Sequence, residues 1–331
     1  MRGSQVSELP VTSHSVRLAD GRRLAVTDVG PRDGLPVVYL HGAIGAPLRC
    51  GPPLDAAIDE LGVRMLLPQR PGFGASDQHP GRTLSDFAVD LEQVADALDV
   101  ARFAVVGVSA GGPYAIACAH HLPGRVPVTA AVSSLSPLCA PADVPDLPAR
   151  IRLPLRAIGA APGPAAWLGD RAVGLVARHP ELLVRAMACG APAADRSHLA
   201  DDAASRATVT AFLTATTGGI AGLVQDHLVT SRPWDFDLHE VTGEVHVWHG
   251  MGDAFVPAEH ALQLVAALPR CRAFLDPGEG HFFFRRRVRD VLGALVDALE
   301  RSADRRDRLR DVSSSLPPAA AGGRPAVAPS D

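Results

Sequence analysis

A chain of 331 residues, 47 % of them hydrophobic, can bury a sizeable core as one large domain or two ordinary ones, and a formal net charge of −4 lacks the concentrated positive face that binds nucleic acid. The sequence contains no lysine and no asparagine, which excludes a Schiff-base or pyridoxal phosphate lysine, a Walker-type phosphate lysine, a serine-lysine dyad and a Cys-His-Asn triad. Any enzymatic base must be a histidine or a carboxylate.

Met1 to Pro10 lacks the apolar segment of a signal peptide and no apolar run is long enough to cross a bilayer, so a cytoplasmic chain without a membrane span is expected. His14 to Asp20 and Arg22 to Gly30 alternate apolar and polar residues around Asp20-Gly21, which predicts a hairpin. Short continuous apolar runs follow at Pro36 to Leu40, Val63 to Leu67, Phe103 to Val108, Val128 to Val132, Val245 to Trp248 and Cys271 to Leu275. Most are separated by helical patterns, as suits parallel strands buried on both faces. The clearest helix is Thr83 to Leu98, with Leu84, Phe87, Leu91, Val94 and Leu98 on one face and Thr83 as its N-cap, three residues before Asp86. This is an α/β pattern, and such sheets place ligands outside the carboxyl ends of their strands.

Between Leu138 and Arg232 the strand rhythm stops, and Ala-rich helical patterns are broken at Pro162, Pro164, Pro180, Pro192 and Gly218-Gly219. Residues 138–232 are therefore expected to form a helical lid inserted into one core, with 1–137 before it and 233–300 after it. A separate helical domain is the alternative. Residues 301–331 turn Arg/Asp-mixed and then Ser/Pro/Ala/Gly-rich, which predicts a tail disordered from about Ser313. The cysteines, Cys50, Cys118, Cys139, Cys189 and Cys271, form no Cys-x-x-Cys pair and predict reduced thiols. No histidine spacing suggests a metal site, and no cofactor is expected.

The chemistry centres on Gly107-Val108-Ser109-Ala110-Gly111, a G-x-S-x-G pattern between an apolar run and an amphipathic segment. Its glycines allow the tight turn that lifts a serine hydroxyl clear of a sheet edge, so Ser109 is the candidate nucleophile. A serine needs a histidine in reach and a carboxylate to orient that histidine. His281 follows one strand-like run through Asp276-Pro-Gly-Glu-Gly280, and Asp253 follows another through His249-Gly-Met-Gly252. Asp77 and Asp276 are the other carboxylates that could serve. His41-Gly42-Ala43-Ile44-Gly45, after Pro36 to Leu40, can aim a backbone N–H over Ser109, and Ala110 would supply a second donor for an oxyanion hole.

With His41-Gly42, Arg70-Pro-Gly-Phe-Gly-Ala-Ser-Asp77, the turn at Ser109, Trp248-His-Gly-Met-Gly-Asp253 and Gly278-Glu-Gly-His281 in this order, the chain resembles the α/β-hydrolase fold family over roughly Val16 to Leu299. The similarity is to its lidded group of esterases, cofactor-free haloperoxidases and carbon-carbon bond hydrolases. It implies a mostly parallel central sheet flanked by helices, with Ser109 as nucleophile, Asp253 as orienting acid, His281 as base, and Ala43 and Ala110 as oxyanion donors. A serine at the turn departs from the aspartate of haloalkane dehalogenases and epoxide hydrolases. Ala110 departs from the methionine that haloperoxidases and carbon-carbon hydrolases often carry there.

The bland readings are that Arg285, Arg286, Arg287 and Arg289 form a solvated helix face, that His249 is a structural hydrogen-bonder, that His120 and His121 are solvated, and that Phe282 to Phe284 are core. The expected activity is hydrolysis of a carboxylic ester through an acyl-enzyme on Ser109. Ile44, Trp167 and Phe282 are the candidate contacts for a small to medium apolar substrate. Carbon-carbon hydrolysis, perhydrolysis, lactone opening or acyl transfer on the same residues, a non-catalytic scaffold, and a proline-releasing peptidase are the alternatives. Against the peptidase, Ala110 stands where such enzymes usually carry a tryptophan after the serine. Oligomeric state is left open.

Overall fold

The computed structural model describes residues 9–46, 51–137 and 149–315. The hairpin pairs β1 (Val11–Arg17) with β2 (Arg23–Val29), Val16 opposite Leu24. There follow β3 (Leu35–Leu40), α1 (Pro52–Leu61), β4 (Val63–Pro68), α2 (Leu84–Ala97), β5 (Ala104–Val108), α3 (Gly111–His121) and β6 (Val128–Val132). After a helical stretch come β7 (Glu244–Gly250), α10 (Ala258–Ala267), β8 (Cys271–Asp276) and α11 (Phe284–Ser315).

The strands form one eight-stranded sheet in the order β1-β2-β4-β3-β5-β6-β7-β8. Only β1 with β2 and β2 with β4 pair antiparallel; from β4 to β8 every pair is parallel. Helices cover both faces of the parallel part, which is why β4 and β6 are buried throughout and show no apolar-polar alternation. On one face Leu24, Leu40 and Val105 pack with Phe87 and Leu91 of α2 and with Ile116 of α3. On the other, Val37, Met65 and Val106 pack with Ile58 of α1 and with Leu292 and Leu295 of α11. Helix α2 begins where its sequence predicts: the Thr83 side chain accepts from the Asp86 N–H at 3.1 Å, and Asp86 accepts in return from the Thr83 N–H at 2.8 Å.

Between β6 and β7 the chain leaves the sheet and forms α4 (Ala149–Ala160), α5 (Pro162–Arg178), α6 (Glu181–Ala188), α7 (Ala193–Ala200), α8 (Asp202–Ala215) and α9 (Ala221–Thr230). The first part of the expected insertion, residues 138–148, lies outside the described residues. Helix α5 buries none of its side chains, whereas α8 and α9 bury Phe212, Ala215, Val224 and Asp226. The insertion therefore seats on the core through α8 and α9, and through α7, which buries Asp195 and Leu199. Backbone bonds from Gly74 N–H to the Ala215 carbonyl, 2.9 Å, and from Ala46 N–H to that of Ala211, 3.3 Å, join α8 to the loops after β4 and β3.

Two expectations change at the ends of helices. Helix α11 continues through residues 301–315, where the composition predicted a tail. Arg301, Asp304 and Arg308 stand three and four residues apart there, a spacing that lets opposite charges support an exposed helix. Residues 316–331 lie outside the described residues. At the end of α3, His120 stacks on Phe236, ring centroids 5.0 Å apart, and His121 Nε2 lies 2.5 Å from Ser85 Oγ. The pair thus joins α3 to its neighbours, with His120 half-buried and His121 exposed as expected. Cys118, Cys189 and Cys271 are free thiols, and Cys50 and Cys139 lie outside the described residues.

Candidate active site

Strand β5 runs into α3 through one residue held in an uncommon conformation. Ser109 has φ 54°, in the left-handed region that non-glycine residues rarely occupy. Its N–H donates to the Val132 carbonyl, 2.8 Å, and its carbonyl accepts from Gly112 N–H, 2.9 Å, so both neighbours over-determine the turn. The glycines on either side are required by close approach. A Cβ on Gly107 would strike the Gly111 carbonyl oxygen and the Ala115 methyl, and one on Gly111 would strike the carbonyl oxygens of Leu40 and His41.

The carboxyl ends of β7 and β8 bring Asp253 and His281 together. His281 Nδ1 lies 2.6 Å from Asp253 Oδ2, while Asp253 Oδ1 accepts from the N–H groups of Phe255 and Val256, each at 2.8 Å. Both carboxylate oxygens are thus committed, and the Asp253 side chain is fully buried. With Nδ1–H donating to Asp253, Nε2 is the nitrogen left to accept a proton. Burial disfavours the charged ring of His281, but the adjoining Asp253 charge and hydrogen bond, helped by Asp195, outweigh it and raise the pKa above 6.5. The other carboxylates point elsewhere: Asp77 pairs with Arg23 at 3.2 Å and Asp276 with Arg287 at 3.0 Å. His249 Nε2 lies 3.0 Å from the Val256 carbonyl, the structural contact its sequence position suggested.

A buried charge cluster holds the turn after β3. Arg70, 0 % exposed, donates through its guanidinium to the carbonyls of His41 and Gly42, the latter at 3.2 Å, and to Asp226 of α9 at 2.9 and 2.5 Å. Asp226 also accepts from Arg82 at 2.5 Å and from Tyr114 at 2.8 Å. Desolvation works to raise the Asp226 pKa, and Arg70 and Arg82 reverse it, so the carboxylate stays ionised. His41 Nε2 accepts from the Arg70 N–H at 3.2 Å, which assigns the ring proton to Nδ1, 2.8 Å from the Gly42 carbonyl. Burial and the adjacent Arg70 push the His41 pKa down to about 3, in keeping with that neutral tautomer. Two donors therefore fix the Gly42 carbonyl, and because the peptide is planar and trans, the Ala43 N–H must point the opposite way. Among the described residues neither the Ala43 nor the Ala110 N–H makes a hydrogen bond.

These groups meet at a cavity of about 400 Å³ whose wall includes Ser109, His281, Ala43, Ala110, Ile44 and Phe282. Leu135, Leu155, Met187 and Leu223 make most of the remaining wall apolar, and Phe255 adds an aromatic ring. Trp167 does not belong to it. Helix α5 turns the indole outward, 60 % exposed, where the Arg171 guanidinium lies 3.9 Å from its ring centroid. Phe282 is not core but stacks on His198, centroids 5.0 Å apart, and Phe283 alone of the three phenylalanines is buried. Arg285 also lines the cavity, unlike Arg286, Arg287 and Arg289, which pair with Glu279, Asp276 and Glu60.

Sequence reasoning missed two carboxylates here. Asp226 carried a usable signal, being a lone acid in the apolar run Gly222-Leu-Val-Gln-Asp-His-Leu-Val229. Asp195 carried none: it stands in a polar stretch, yet it is buried against the loop of His281, 3.0 Å from that residue's N–H. Among the described residues no group of three or more His, Cys, Asp and Glu side chains could hold a metal ion, and no helix is long and apolar enough to cross a membrane.

A family model described as alpha/beta hydrolase fold matches residues 36–285. A non-heme chloroperoxidase of Streptomyces lividans is 35 % identical over 137 residues, 40 % of this chain and 49 % of that protein. An uncharacterized hydrolase of Bacillus subtilis is 31 % identical over 108 residues, 32 % of this chain and 36 % of that protein. The chain thus spans about half, and about a third, of the lengths of these curated relatives. An esterase from Exiguobacterium antarcticum has a similar fold, with TM-score 0.63 and 18 % identity over 86 % of this chain and 100 % of that one. A meta-cleavage product hydrolase from Pseudomonas fluorescens does too, with TM-score 0.62 and 19 % identity over 89 % and 99 % of the two chains.

Proposed function

Because the chain belongs to the alpha/beta hydrolase fold family, we propose that it is a serine hydrolase that cleaves carboxylic esters of small to medium apolar substrates through an acyl-enzyme on Ser109. The observation that carries this reading is that Ser109, on its strained turn, and His281, held from behind by Asp253, line one mainly apolar cavity.

In the proposed reaction His281 Nε2 takes the Ser109 proton as the oxygen attacks the ester carbonyl, and the oxyanion forms against the Ala43 and Ala110 N–H groups. Collapse expels the alcohol, which receives the proton from His281. Water then enters, loses a proton to the same nitrogen and attacks the acyl-serine, releasing the acid and restoring Ser109. Asp253 stays ionised and holds the imidazole by Nδ1. An ester suits this arrangement because an alcohol leaves more readily than an amine. The α4–α9 insertion acts as the lid that chooses the substrate, and its apolar side chains in the cavity wall favour an apolar acyl or alcohol group.

Incubation with a fluorophosphonate probe, read by intact mass, tests the machinery without requiring the natural substrate. Wild type should label at Ser109, and Ser109→Ala and His281→Ala should not. Absence of label on folded wild type, with a small phosphonate as well, would move a non-catalytic scaffold ahead of the enzyme. The similarity to a chloroperoxidase favours a second reading, perhydrolysis, in which hydrogen peroxide instead of water attacks the acyl-serine and a peracid leaves. Peracid formation from a carboxylic ester and peroxide, lost in Ser109→Ala, distinguishes it.

A further inference from the structure

Helix α7 of the insertion places a carboxylate directly behind the His281 loop. Asp195 is buried, 0 % exposed, and its Oδ2 and Oδ1 accept from the backbone N–H groups of His281 and Phe282, each at 3.0 Å. A Cβ on Gly280 would lie 2.5 Å from the Asp195 carboxyl atoms, so the loop is shaped around this contact. Among the described residues no arginine or histidine forms an ion pair with Asp195, and its bonds are to these two amides alone. A buried carboxylate without a bonded cation is an expensive way to hold two N–H groups, since a neutral oxygen would serve.

We propose that Asp195 is a positioning residue that couples the seating of the helical insertion to the competence of His281, holding the base loop in register and placing a second carboxylate beside its imidazole. The proposal rests on the reading of His281 as the base. Both of its parts follow from one contact. If α7 lifts from the core, the His281 and Phe282 amides lose their acceptor and the ring loses a nearby negative charge, so an unseated insertion leaves a loosened and less basic histidine. Of the other titratable groups near His281, His198 also belongs to α7, stacked on Phe282, but burial pushes its pKa down to about 4, so it stays neutral around the His281 midpoint; the rest do not depend on α7. Asp253 bonds its Nδ1, and His249 of β7 stands behind Asp253, its Nε2 3.9 Å from Oδ2. Arg286 of α11 is held by Glu279 and feels the Asp195 charge without bonding it.

The test follows His281 by NMR titration and its backbone by amide exchange in the full chain, for wild type, Asp195→Asn, Asp195→Ala and Gly280→Ala. The Gly280 variant pushes the carboxylate away without removing it. The expected result is a lower His281 titration midpoint in Asp195→Asn and Asp195→Ala, and at least tenfold faster exchange at His281 and Phe282 in all three variants. In esterase assays the acid limb of the pH profile should move to lower pH, a shift that a purely structural loss of activity would not produce. Should the variants fail to fold, wild type still decides: the two amides should share one opening rate with the amides of α7. Folded variants with an unchanged midpoint and unchanged exchange would overturn the proposal, as would wild-type amides that open independently of α7. If these variants behave as wild type while wild type labels with fluorophosphonate, the coupling fails and the hydrolase reading stands. If wild type neither labels nor cleaves esters but His281 still responds to Asp195, the coupling stands and the hydrolase reading fails.

Discussion

The Asp253 carboxylate divides its two oxygens between separate tasks: Oδ1 is fixed by the Phe255 and Val256 amides at 2.8 Å, and Oδ2 meets His281 Nδ1 at 2.6 Å. The acid is therefore positioned by the backbone before it positions the histidine. Asp253→Asn should keep the fold but present the wrong donor-acceptor pattern to the ring, lowering kcat by roughly 10⁴ as for an equivalent change in another triad. Steady-state kinetics with a p-nitrophenyl ester, beside a melting curve, checks this. A loss of less than tenfold would remove Asp253 from the proposed role.

In the proposed mechanism the raised pKa of His281 sets the acid limb of activity. Its base form must be present, so kcat/KM should fall with a midpoint above the ordinary histidine value of about 6.5. The stability effect has the opposite sense. Stabilisation from the charged ring is complete below the unfolded value and is lost as pH rises through the folded one. A pH-rate profile and melting temperatures over the same range should move in opposite directions there.

Arg70→Met removes one of the two buried guanidinium partners of Asp226 and one of the two donors on the Gly42 carbonyl, leaving that of His41 Nδ1. Breaking a buried pair in this way typically costs about 3–5 kcal/mol. Beyond that destabilisation, kcat should drop where KM changes little, because the Ala43 N–H is then aimed by the His41 contact alone. Chemical denaturation and kinetics at a temperature where the variant is folded separate the two effects.

A Cβ on Gly112 would run into the Ser134 side chain, its oxygen above all. Gly112→Ala should therefore destabilise the chain by roughly 1–3 kcal/mol, as overpacking generally does. Adding Ser134→Gly should recover most of that loss in urea denaturation, and an equal loss in the double variant would show that the contact is not the cause.

Trp167 and Phe282 make a paired control on the cavity. Trp167→Ala removes an exposed ring and should change kcat/KM for esters by less than about twofold, within the range of ordinary surface substitutions. Phe282→Ala removes a wall of the cavity beside His281 and should change the preferred chain length in an ester series. A larger effect at Trp167 than at Phe282 would place the substrate outside this cavity.

The succession of strands and helices was legible because the strands are short, apolar and separated by periodic helices, and the turn at Ser109 because glycines must flank it. Asp253 and His281 were legible for the same reason, each following a strand end through a glycine-rich loop. What the sequence concealed depends on contacts between distant segments. Nothing local in Ala193-Ala-Asp-Arg-Ser197 distinguishes a buried carboxylate from a solvated one, and Asp195 meets His281 across a separation of 86 residues. Trp167 failed for a related reason, since nothing local shows whether the apolar side of a helix will meet the core, and α5 buries none of its side chains. The tail was misjudged in its first part because Arg/Asp mixing fits both a disordered segment and an exposed, charge-laced helix.

The insertion grips both sides of the cavity with buried acids, Asp226 through Arg70 on the side of Ala43 and Asp195 on the side of His281. It is consequently not an exchangeable cassette. A chimera that receives the α4–α9 segment of a relative would inherit that segment's walls but would leave Arg70 and the His281 amides facing whatever stands at these two positions. Transplants that carry an acid at both should retain turnover, and those that carry neither should bind without turning over.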